Sequence, residues 1–583
     1  MRPFPARSES ADEPKPRRRG TLAFLGYVAI SFCFFGLHVL PHLNSVLLGN
    51  ARDPRDPFAL SWFLRWWPFA LIHGMDPLVT HHVWSPVGYR LAGTTAIPGP
   101  SLVLWPITTT AGPVAAYNVA MLLAPALSAW TAFLLFRTLT GRTWPSFIGG
   151  YVFGFSTFAL GQLSAHLNLS LTFLVPLMAW LVALAWRRRI RPGAFLALEA
   201  LCVAAQFLIA PEVLATVAVM GVVVFVVGLL FSSGRRDPVL RVAGLTLGAI
   251  VVGSLLASPY LVPLLGQTRS LRLLNPLYST DLVNLAVPTP ITALHAGWTT
   301  DIAAGFRGNY SETGSYIGIP LLLTAVLFMV RYRRRRFAWA SAVVLVSAVG
   351  AALGPRLLVH GHATVPLPWA MARRLPLLRY ALPERFMLYA FLVLGFVVAV
   401  LLADGAASRR GRIATGVLVA LVVVTLAPNV RQPYWHAPAP PSPIETGAVL
   451  ASGRTELFVP FGRAGAQAML WQADAGMSFR MAGGYVSCGI PPEYERWQAV
   501  VALLRDDPAK TNRPEMRTFL VAHHVELVVL SGAAGARWSP LFSSLGYRAR
   551  TLPAATVFTV PPGIPLGAAP PMSAARQLND CNA

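Results

Sequence analysis

Hydrophobic residues fill long stretches of this chain, and they occur as continuous runs rather than in alternation with polar ones. The first run, Thr21–Leu40, follows a polar segment that ends in three arginines, Arg17 to Arg19. Its length matches the roughly 20 residues that a helix needs to cross about 30 Å of hydrocarbon. It exceeds the roughly 7–15 apolar residues of a signal peptide, and no cleavage pattern follows it, so we interpret it as an uncleaved span.

Ten further apolar runs approach the same length. They lie at 113–136, 145–161, 169–186, 193–209, 211–233, 242–265, 315–331, 337–353, 384–404 and 412–428. Together with the first run, they predict a polytopic α-helical membrane protein with about 11 spans.

Arginine clusters recur at every second junction between the runs and therefore predict the orientation. They lie at 17–19, at Arg137 and Arg142, and at 187–191, 235–241, 331–336 and 409–412. The positive-inside rule assigns all six clusters to the cytoplasm. We therefore expect a multi-pass protein of the cell membrane with its N-terminus inside and its C-terminus outside.

Composition supports the membrane prediction and changes the meaning of the charge. The 583 residues are 55% hydrophobic and 12% charged, whereas a soluble domain is about 25% charged. An ordinary soluble enzyme and a disordered protein are thereby excluded. The formal charge of +24 would otherwise suggest nucleic-acid binding. Because much of it lies in the six clusters, we attribute it to membrane topology.

The composition changes after residue 428, which divides the chain. We expect a cytoplasmic disordered tail at 1–19, a transmembrane domain at 20–430 with its first outer loop at 42–112, a Pro-rich linker at 431–443, an extracytoplasmic α/β domain at 444–570 and a disordered tail at 571–583. Within the α/β domain, β-like runs occur at 455–460, 525–530 and 555–560, and a helix-like run occurs at 493–505. Cys488 and Cys581 can pair in an oxidising compartment, although their spacing does not require it.

The first outer loop carries the most interesting carboxylates. Asp53 and Asp56 precede a stretch, 56–67, whose apolar residues recur at helical spacing and include three tryptophans. Tryptophan favours the membrane–water interface, so we expect a short amphipathic helix on the outer surface. Asp56 can act as a general base within reach of a substrate hydroxyl. It can equally serve as a helix N-cap, since Asp before Pro commonly starts a helix.

Several motifs, taken in order, resemble a known superfamily. Asp56-Pro57-x-x-x-x-Trp62 is followed by 70–78 (Ala-Leu-x-His-Gly-Met-Asp-Pro-Leu) and by 112–118 (Gly-Pro-Val-Ala-Ala-Tyr-Asn). Further matches lie at 153–156, 166–169 and 206–214. Together they resemble bacterial integral membrane glycosyltransferases of the GT-C superfamily, closest to poorly characterised actinobacterial-type members. The resemblance covers residues 20–430 and is strongest before residue 215.

The resemblance implies a polyprenyl-phosphate sugar donor, an inverting transfer and an essential acidic residue in the first outer loop. Asp56 is the best match for that residue, with Asp53 second. The acceptor would be a hydroxyl on a cell-envelope glycan, lipid or protein. Many members of the superfamily carry Asp-Asp or Asp-x-Asp, whereas this chain has Asp-x-x-Asp with two prolines. This departure puts metal binding through the pair in doubt.

Arginines on the predicted outer side are candidates for the donor phosphate. Arginine stays charged and binds phosphate through two N–H groups. Arg379 and Arg385 bracket the start of the tenth run, and Arg307 lies in an earlier outer segment. The alternative is anchoring at lipid head groups with the side chain snorkelling, which is a common role of interfacial arginine.

Five other residues are candidates for substrate or cavity contacts: Glu312, Glu212, His166, Asn168 and His73. Glu312 could orient a sugar, pair with an arginine, or cap a helix. Glu212, between two apolar runs, indicates either a cavity or a turn in water. The same choice applies to His166 and Asn168, and a loop histidine is commonly not a ligand.

No motif requires a cofactor or a metal. His81 and His82 are adjacent and point in different directions on regular structure, so they make a poor metal site. A divalent metal is compatible with the family but unsupported by these residues. Two other functions remain open: a lipid or solute transporter or flippase, which would favour internal repeats and mid-span charges, and a structural envelope protein whose tail recruits partners.

Overall fold

The computed structural model describes residues 16–232, 236–267, 278–372, 381–405, 408–431, 437–438, 453–563, 568–574 and 578. Within these ranges, seven helices are long and apolar enough to cross a membrane: Arg18–His42, Pro113–Thr140, Leu167–Trp186, Pro192–Ile209, Pro211–Phe231, Arg236–Leu256 and Pro383–Asp404. Two shorter apolar helices are Ile319–Tyr332 and Arg336–Ala352. The prediction of a polytopic α-helical membrane protein is therefore confirmed.

Shorter helices and strands connect and cover these spans. The remaining helices before residue 430 are Arg55–Ile72, Pro98–Val103, Trp105–Ala111, Thr143–Gly154, Thr157–Leu163, Ser258–Gln267, Gly297–Ala304, Trp369–Ala372 and Arg409–Thr425. Short 3₁₀ turns cover Val283–Leu285, Tyr310–Glu312 and Pro383–Phe386. Two-stranded pairs join Val46–Leu47 to Ala437–Pro438, Val79–Thr80 to Tyr89–Arg90 and Arg356–Val359 to His362–Pro366.

Some predicted spans are shorter than the apolar runs suggested. The run at 145–161 divides into Thr143–Gly154 and Thr157–Leu163. Ser156 separates the two because its side chain accepts a hydrogen bond from the amide of Ala159 at 3.2 Å and starts the second helix. Hydropathy does not record such a cap, so the sequence overestimates the number of full-length spans.

The spans differ in how far they are enclosed by the rest of the protein. Of the apolar stretches of Pro113–Thr140 and Pro383–Asp404, 67% and 72% of residues are buried. The corresponding value is 22% for both Pro211–Phe231 and Arg236–Leu256. The first two helices form the centre of the bundle, whereas the last two present most of their apolar surface to the surroundings, as expected for helices in contact with lipid.

The helix that contains Asp56 is buried, whereas we expected a helix lying on the outer membrane surface. It extends over Arg55–Ile72, and twelve of its residues are buried, including Trp62, Trp66 and Trp67. The indole of Trp67 donates to the carbonyl of Ala96 at 2.7 Å. The tail covers the face of this helix that we expected to lie exposed at the membrane surface. The tryptophans therefore pack in the protein interior.

The tail contains a five-stranded mixed sheet. Its strands, in spatial order, are Arg548–Thr551, Ala555–Thr559, Val525–Ser531, Thr455–Val459 and Arg480–Met481. The first two pairings are antiparallel and the last two are parallel. Helices Gln467–Asp474, Pro492–Glu495, Gln498–Leu504, Arg513–Ala522 and Gly532–Ser544 surround it. The three predicted β-like runs are strands, and the helix-like run at 493–505 is divided between two helices.

The tail packs directly on the first loop of the membrane domain. The amide of Met481 donates to the carbonyl of His82 at 2.8 Å, and the amide of Ser85 donates to the carbonyl of Met481 at 2.9 Å. The first loop thus extends the edge of the tail sheet. In addition, the indole of Trp62 donates to the amide oxygen of Gln472 at 2.6 Å. One continuous hydrophobic core includes residues of both parts.

A close helix contact at the bundle centre generates a test of this packing. In Gly149→Ala, the added Cβ would lie 2.5 Å from the carbonyl oxygen of Gly395 on the neighbouring helix. The helices would have to move apart, so we expect a loss of about 1–3 kcal/mol of stability. Thermal unfolding in detergent measures this. The control is Gly350→Ala, where no atom lies within 4 Å of the new Cβ; equal melting of both variants would contradict the packing.

Candidate active site

A cavity of about 1690 Å³ opens beside Asp56 and continues between the membrane helices. Its polar end is lined by Asp56, His166, Glu212, Glu312 and Arg385. Its apolar part follows the Pro211–Phe231 helix as far as Gly228, a distance of about 25 Å at 1.5 Å per residue. The volume exceeds the roughly 300–1,000 Å³ of typical small-molecule pockets. The cavity therefore has room for a polar group at one end and a long apolar chain along the spans.

Asp56 is held by residues from two distant parts of the chain. His166 Nε2 lies 3.2 Å from its Oδ2 atom, and the hydroxyl of Tyr485 donates to Oδ1 at 2.9 Å. Asp56 is the second residue of the Arg55–Ile72 helix, and the N-cap position before the helix is occupied by Pro54. One third of the side chain, 33%, remains accessible. The carboxylate is thus oriented by two partners and still open to the cavity.

The surroundings of Asp56 favour its ionised form. Partial burial by itself would raise the pKa of this carboxyl. The hydrogen bond and charge of His166, the hydrogen bond of Tyr485 and the charge of Arg463 outweigh burial, and the pKa lies below its usual value. Its position in the first turn of a helix favours negative charge as well. Asp56 is therefore a carboxylate at neutral pH and able to accept a proton.

A hydrogen-bonded chain runs from Asp56 into the protein. His166 Nδ1 faces the amide oxygen of Gln162 at 2.9 Å. The Gln162 amide nitrogen in turn donates to the carbonyl of Ser311 at 3.2 Å and to Glu312 Oε2 at 3.5 Å. Gln162 lies in the last turn of the Thr157–Leu163 helix, and His166 is held beside it because the His166 amide donates to the Gln162 carbonyl at 2.7 Å. The chain fixes the orientation of the imidazole next to Asp56.

Arg385 is the centre of a buried cluster of carboxylates. One of its terminal nitrogens is paired with Glu212, and the other lies 3.0 Å from Glu312 Oε1. Glu212 also accepts a hydrogen bond from the amide of Leu382 at 3.2 Å. The residue before Arg385, Glu384, is fully buried. These contacts join the starts of two spans and the 310–312 turn at the polar end of the cavity.

The cluster holds more carboxyl groups than cations. Burial raises the pKa of Glu312, and the adjacent Glu384 carboxyl raises it further. One cation compensates at most one negative charge, so a buried set of this kind favours a proton on one carboxyl. The Tyr310–Glu312 turn is capped by Asn309, whose side-chain oxygen accepts from the Glu312 amide at 3.0 Å, and not by Glu312.

Asp53 and Arg463 lie near Asp56, but Asp53 forms its ion pairs with Arg55 and Arg463 and not with the partners of Asp56. Asp53 binds Arg55 through two nitrogens, with 2.7 Å between Nη2 and Oδ2. Arg463, from the tail, lies 3.7 Å from the same Oδ2 atom. Its guanidinium carbon is 5.9 Å from the centre of the Tyr485 ring. Arg463 lines the cavity and Asp53 does not.

The predicted site residues fall into two groups. Asp56, His166, Asn168, Glu212, Glu312 and Arg385 line the cavity. Arg307 is exposed and is not part of the lining. His73 is exposed at the end of its helix, with its ring facing the carbonyl of Phe69. Arg379 lies outside the described residues. Arg385, expected at a phosphate, instead has both terminal nitrogens on carboxylates because it compensates buried negative charge.

The two loop aspartates do not combine into a metal site in the structure. They bind different partners, since Asp53 faces two arginines and Asp56 faces His166 and Tyr485. Among the described residues, no group of three or more His, Cys, Asp or Glu side chains could hold a metal ion.

Sequence reasoning missed the contribution of the tail. Tyr485, which follows two glycines, is not among the residues that the sequence singled out, yet its hydroxyl donates to the candidate base Asp56. Arg463 and Gln162 were not singled out either. A local signal exists only for Tyr485: it lies three residues from Cys488, which is disulfide-bonded, in a short run that also contains two glycines. Nothing local connects this run to residue 56.

Comparisons with known proteins agree with this architecture. The chain belongs to the family described as "Domain of unknown function (DUF6311)", whose family model matches residues 23–427. No curated protein matches the chain. The family description carries no activity, so the solved structures supply the structural context.

Two solved proteins share the fold. AglB, an archaeal oligosaccharyltransferase from Archaeoglobus fulgidus solved with an inhibitory peptide and a dolichol-phosphate, is 11% identical with a TM-score of 0.53, covering 94% of this chain and 75% of AglB. The arabinofuranosyltransferase AftD from Mycobacteria is 13% identical with a TM-score of 0.59, covering 94% of this chain and 42% of AftD. This chain thus spans less than half of AftD. At these identities the likeness shows a shared fold and nothing more.

The buried cluster predicts a large effect of Arg385 on stability. Arg385→Gln leaves Glu212 and Glu312 without their cation, and loss of one partner of a buried ion pair costs about 3–5 kcal/mol. Thermal and denaturant unfolding in detergent measure the loss. Arg409→Gln makes the same change at an exposed helix end and should be neutral. If both variants unfold alike, Arg385 does not stabilise the cluster.

Proposed function

We propose that this protein is a membrane glycosyltransferase that moves a sugar from a polyprenyl-phosphate donor to an acceptor hydroxyl. The observation that carries the proposal is the ionised, oriented carboxylate of Asp56 at the polar end of a cavity that continues along apolar membrane helices. The fold shared with AglB and AftD supports it. The dolichol-phosphate in the AglB structure supports a lipid phosphate as the donor class.

The reaction requires a base and a stabilised leaving group. Asp56 accepts the proton of the acceptor hydroxyl as its oxygen attacks the anomeric carbon. The bond between that carbon and the phosphate oxygen breaks, the configuration inverts, and polyprenyl phosphate leaves. His166 and Tyr485 keep the Asp56 carboxylate in place during the attack, and Gln162 keeps His166 in place. Orientation of this kind is a major source of catalytic rate.

The lipid part of the donor occupies the apolar part of the cavity. Its walls include the Pro211–Phe231 and Arg236–Leu256 helices, which have the lowest buried fractions among the described spans. A lipid can enter sideways between such helices from the bilayer. The arginine clusters predict that Asp56 and the tail lie on the extracytoplasmic side, so we expect the acceptor to be a glycan, lipid or protein of the cell envelope.

Removing the charge of Asp56 tests its role as the base. Asp56→Asn keeps the shape of the side chain but cannot take the proton, so we expect the transfer rate to fall by at least about 100-fold. The measurement is sugar transfer from a radiolabelled polyprenyl-phosphate donor by the purified protein. Asp53→Asn is the matched control three residues away, because that carboxylate does not line the cavity. A larger loss in Asp53→Asn would reverse the assignment.

The pH dependence tests the partners of Asp56. Because the pKa of Asp56 is lowered, the carboxylate persists until the pH falls below its usual range near 4, and only there should activity decline. His166→Gln removes a partner that lowers this pKa, while burial still raises it. The acid limb of kcat/KM should therefore shift to higher pH. An unchanged acid limb in this variant would exclude Asp56 as the titrating base.

A further inference from the structure

One carboxyl group lies in the apolar part of the cavity, away from the polar end beside Asp56. Glu199 belongs to the Pro192–Ile209 span and is about 15 Å along the helix from Ile209, at 1.5 Å per residue. It lines the cavity, and only 3% of the residue is accessible. An ionisable side chain inside a span is costly to keep in hydrocarbon and commonly marks a functional site.

The described residues leave the Glu199 carboxyl without a partner. They form no ion pair or hydrogen bond with it, and its Oε2 atom is buried. The thiol of Cys202, three residues further along the same helix, is buried as well but supplies no positive charge. An ionised carboxylate in such surroundings requires a cation, and no described cation lies close enough to compensate the charge.

The packing of the neighbouring span prevents Glu199 from turning away from the cavity. Gly253, on the Arg236–Leu256 helix, lies so close that an added Cβ would be 2.7 Å from the carbonyl oxygen of Ala200. Such a contact fixes the rotation of the helix that carries Glu199, because close-packed backbone atoms cannot give way. The carboxyl is therefore held in the cavity wall, where a ligand can reach it.

The walls of this part of the cavity indicate which kind of cation fits. Apolar side chains of neighbouring spans line it, among them Met178, Val182 and Val242. An inorganic cation such as Ca²⁺ or Mg²⁺ takes several oxygen ligands, and the described part of the chain offers no group of three or more His, Cys, Asp or Glu side chains for one. An ammonium group donates N–H groups to a single carboxylate, and a hydrocarbon chain attached to it covers apolar walls.

We infer that Glu199 binds the ammonium group of an amphiphilic amine whose hydrocarbon chain lies along the apolar part of the cavity. The amine can enter sideways from the bilayer between Pro211–Phe231 and Arg236–Leu256, which have the lowest buried fractions among the described spans. Two contributions then favour binding: an ion pair in surroundings of low dielectric constant and the burial of the chain. This second ligand site does not depend on the proposed glycosyl transfer.

Binding of radiolabelled hexadecylamine to the full chain in phosphatidylcholine nanodiscs tests the inference, with empty nanodiscs as the blank. Hexadecanol has the same chain and no charge. The unaltered protein should bind the amine about tenfold more tightly than the alcohol, because charge-assisted hydrogen bonds are the stronger ones. Glu199→Gln should lose this preference and keep its affinity for hexadecanol. Asp237→Asn removes an exposed carboxylate from the adjacent span and should bind both lipids like the unaltered protein.

Equal binding of amine and alcohol by the unaltered protein would overturn the inference, and so would an unchanged preference for the amine in Glu199→Gln. If Glu199→Gln binds neither lipid, Glu199→Asp decides, because it keeps the charge on a side chain one methylene shorter. A preference for the amine in Glu199→Asp supports the site, and any other result for that variant overturns it. All of these measurements are made without turnover, so their failure leaves the transferase proposal standing.

Discussion

A charged group that leaves bulk water must be solvated by the protein, and the polar end of the cavity is built around this constraint. Asp56 retains its charge because His166 and Tyr485 provide hydrogen bonds to it. Arg385 is matched by Glu212 and Glu312 in the same way. Gln162 connects the two sets. Segments far apart in sequence are therefore held together by the requirement that each buried charge find its partners.

The same requirement makes the tail a part of the membrane domain rather than an appendage. The tail sheet pairs with the first loop at its edge, the tail helix Gln467–Asp474 packs on the Arg55–Ile72 helix, and Tyr485 reaches Asp56 across this contact. In the present chain, the cavity beside Asp56 has walls from both the spans and the tail.

Sequence reasoning was accurate for features that depend on neighbouring residues and missed features that depend on contacts between distant parts of the chain. Apolar runs located the spans, and short β-rich runs located three of the five tail strands, because both depend on neighbouring residues. The two-residue strand Arg480–Met481 carries no such pattern and exists through its pairing with Thr455–Val459. Residues 56–67 do form a helix, but the tail buries the face that local reasoning assigned to the membrane surface.

Composition and local spacing were enough to predict the membrane class, the approximate spans, the arginine pattern that indicates orientation, and Asp56 as the carboxylate of greatest interest. The folded chain was needed to reveal that Asp56 is paired with His166 and Tyr485, that Arg385 contacts two carboxylates, and that Arg463 reaches the cavity. Residues 56 and 485 are 429 positions apart, and the free energy that joins them arises from burial and pairing of charges, which no local pattern records.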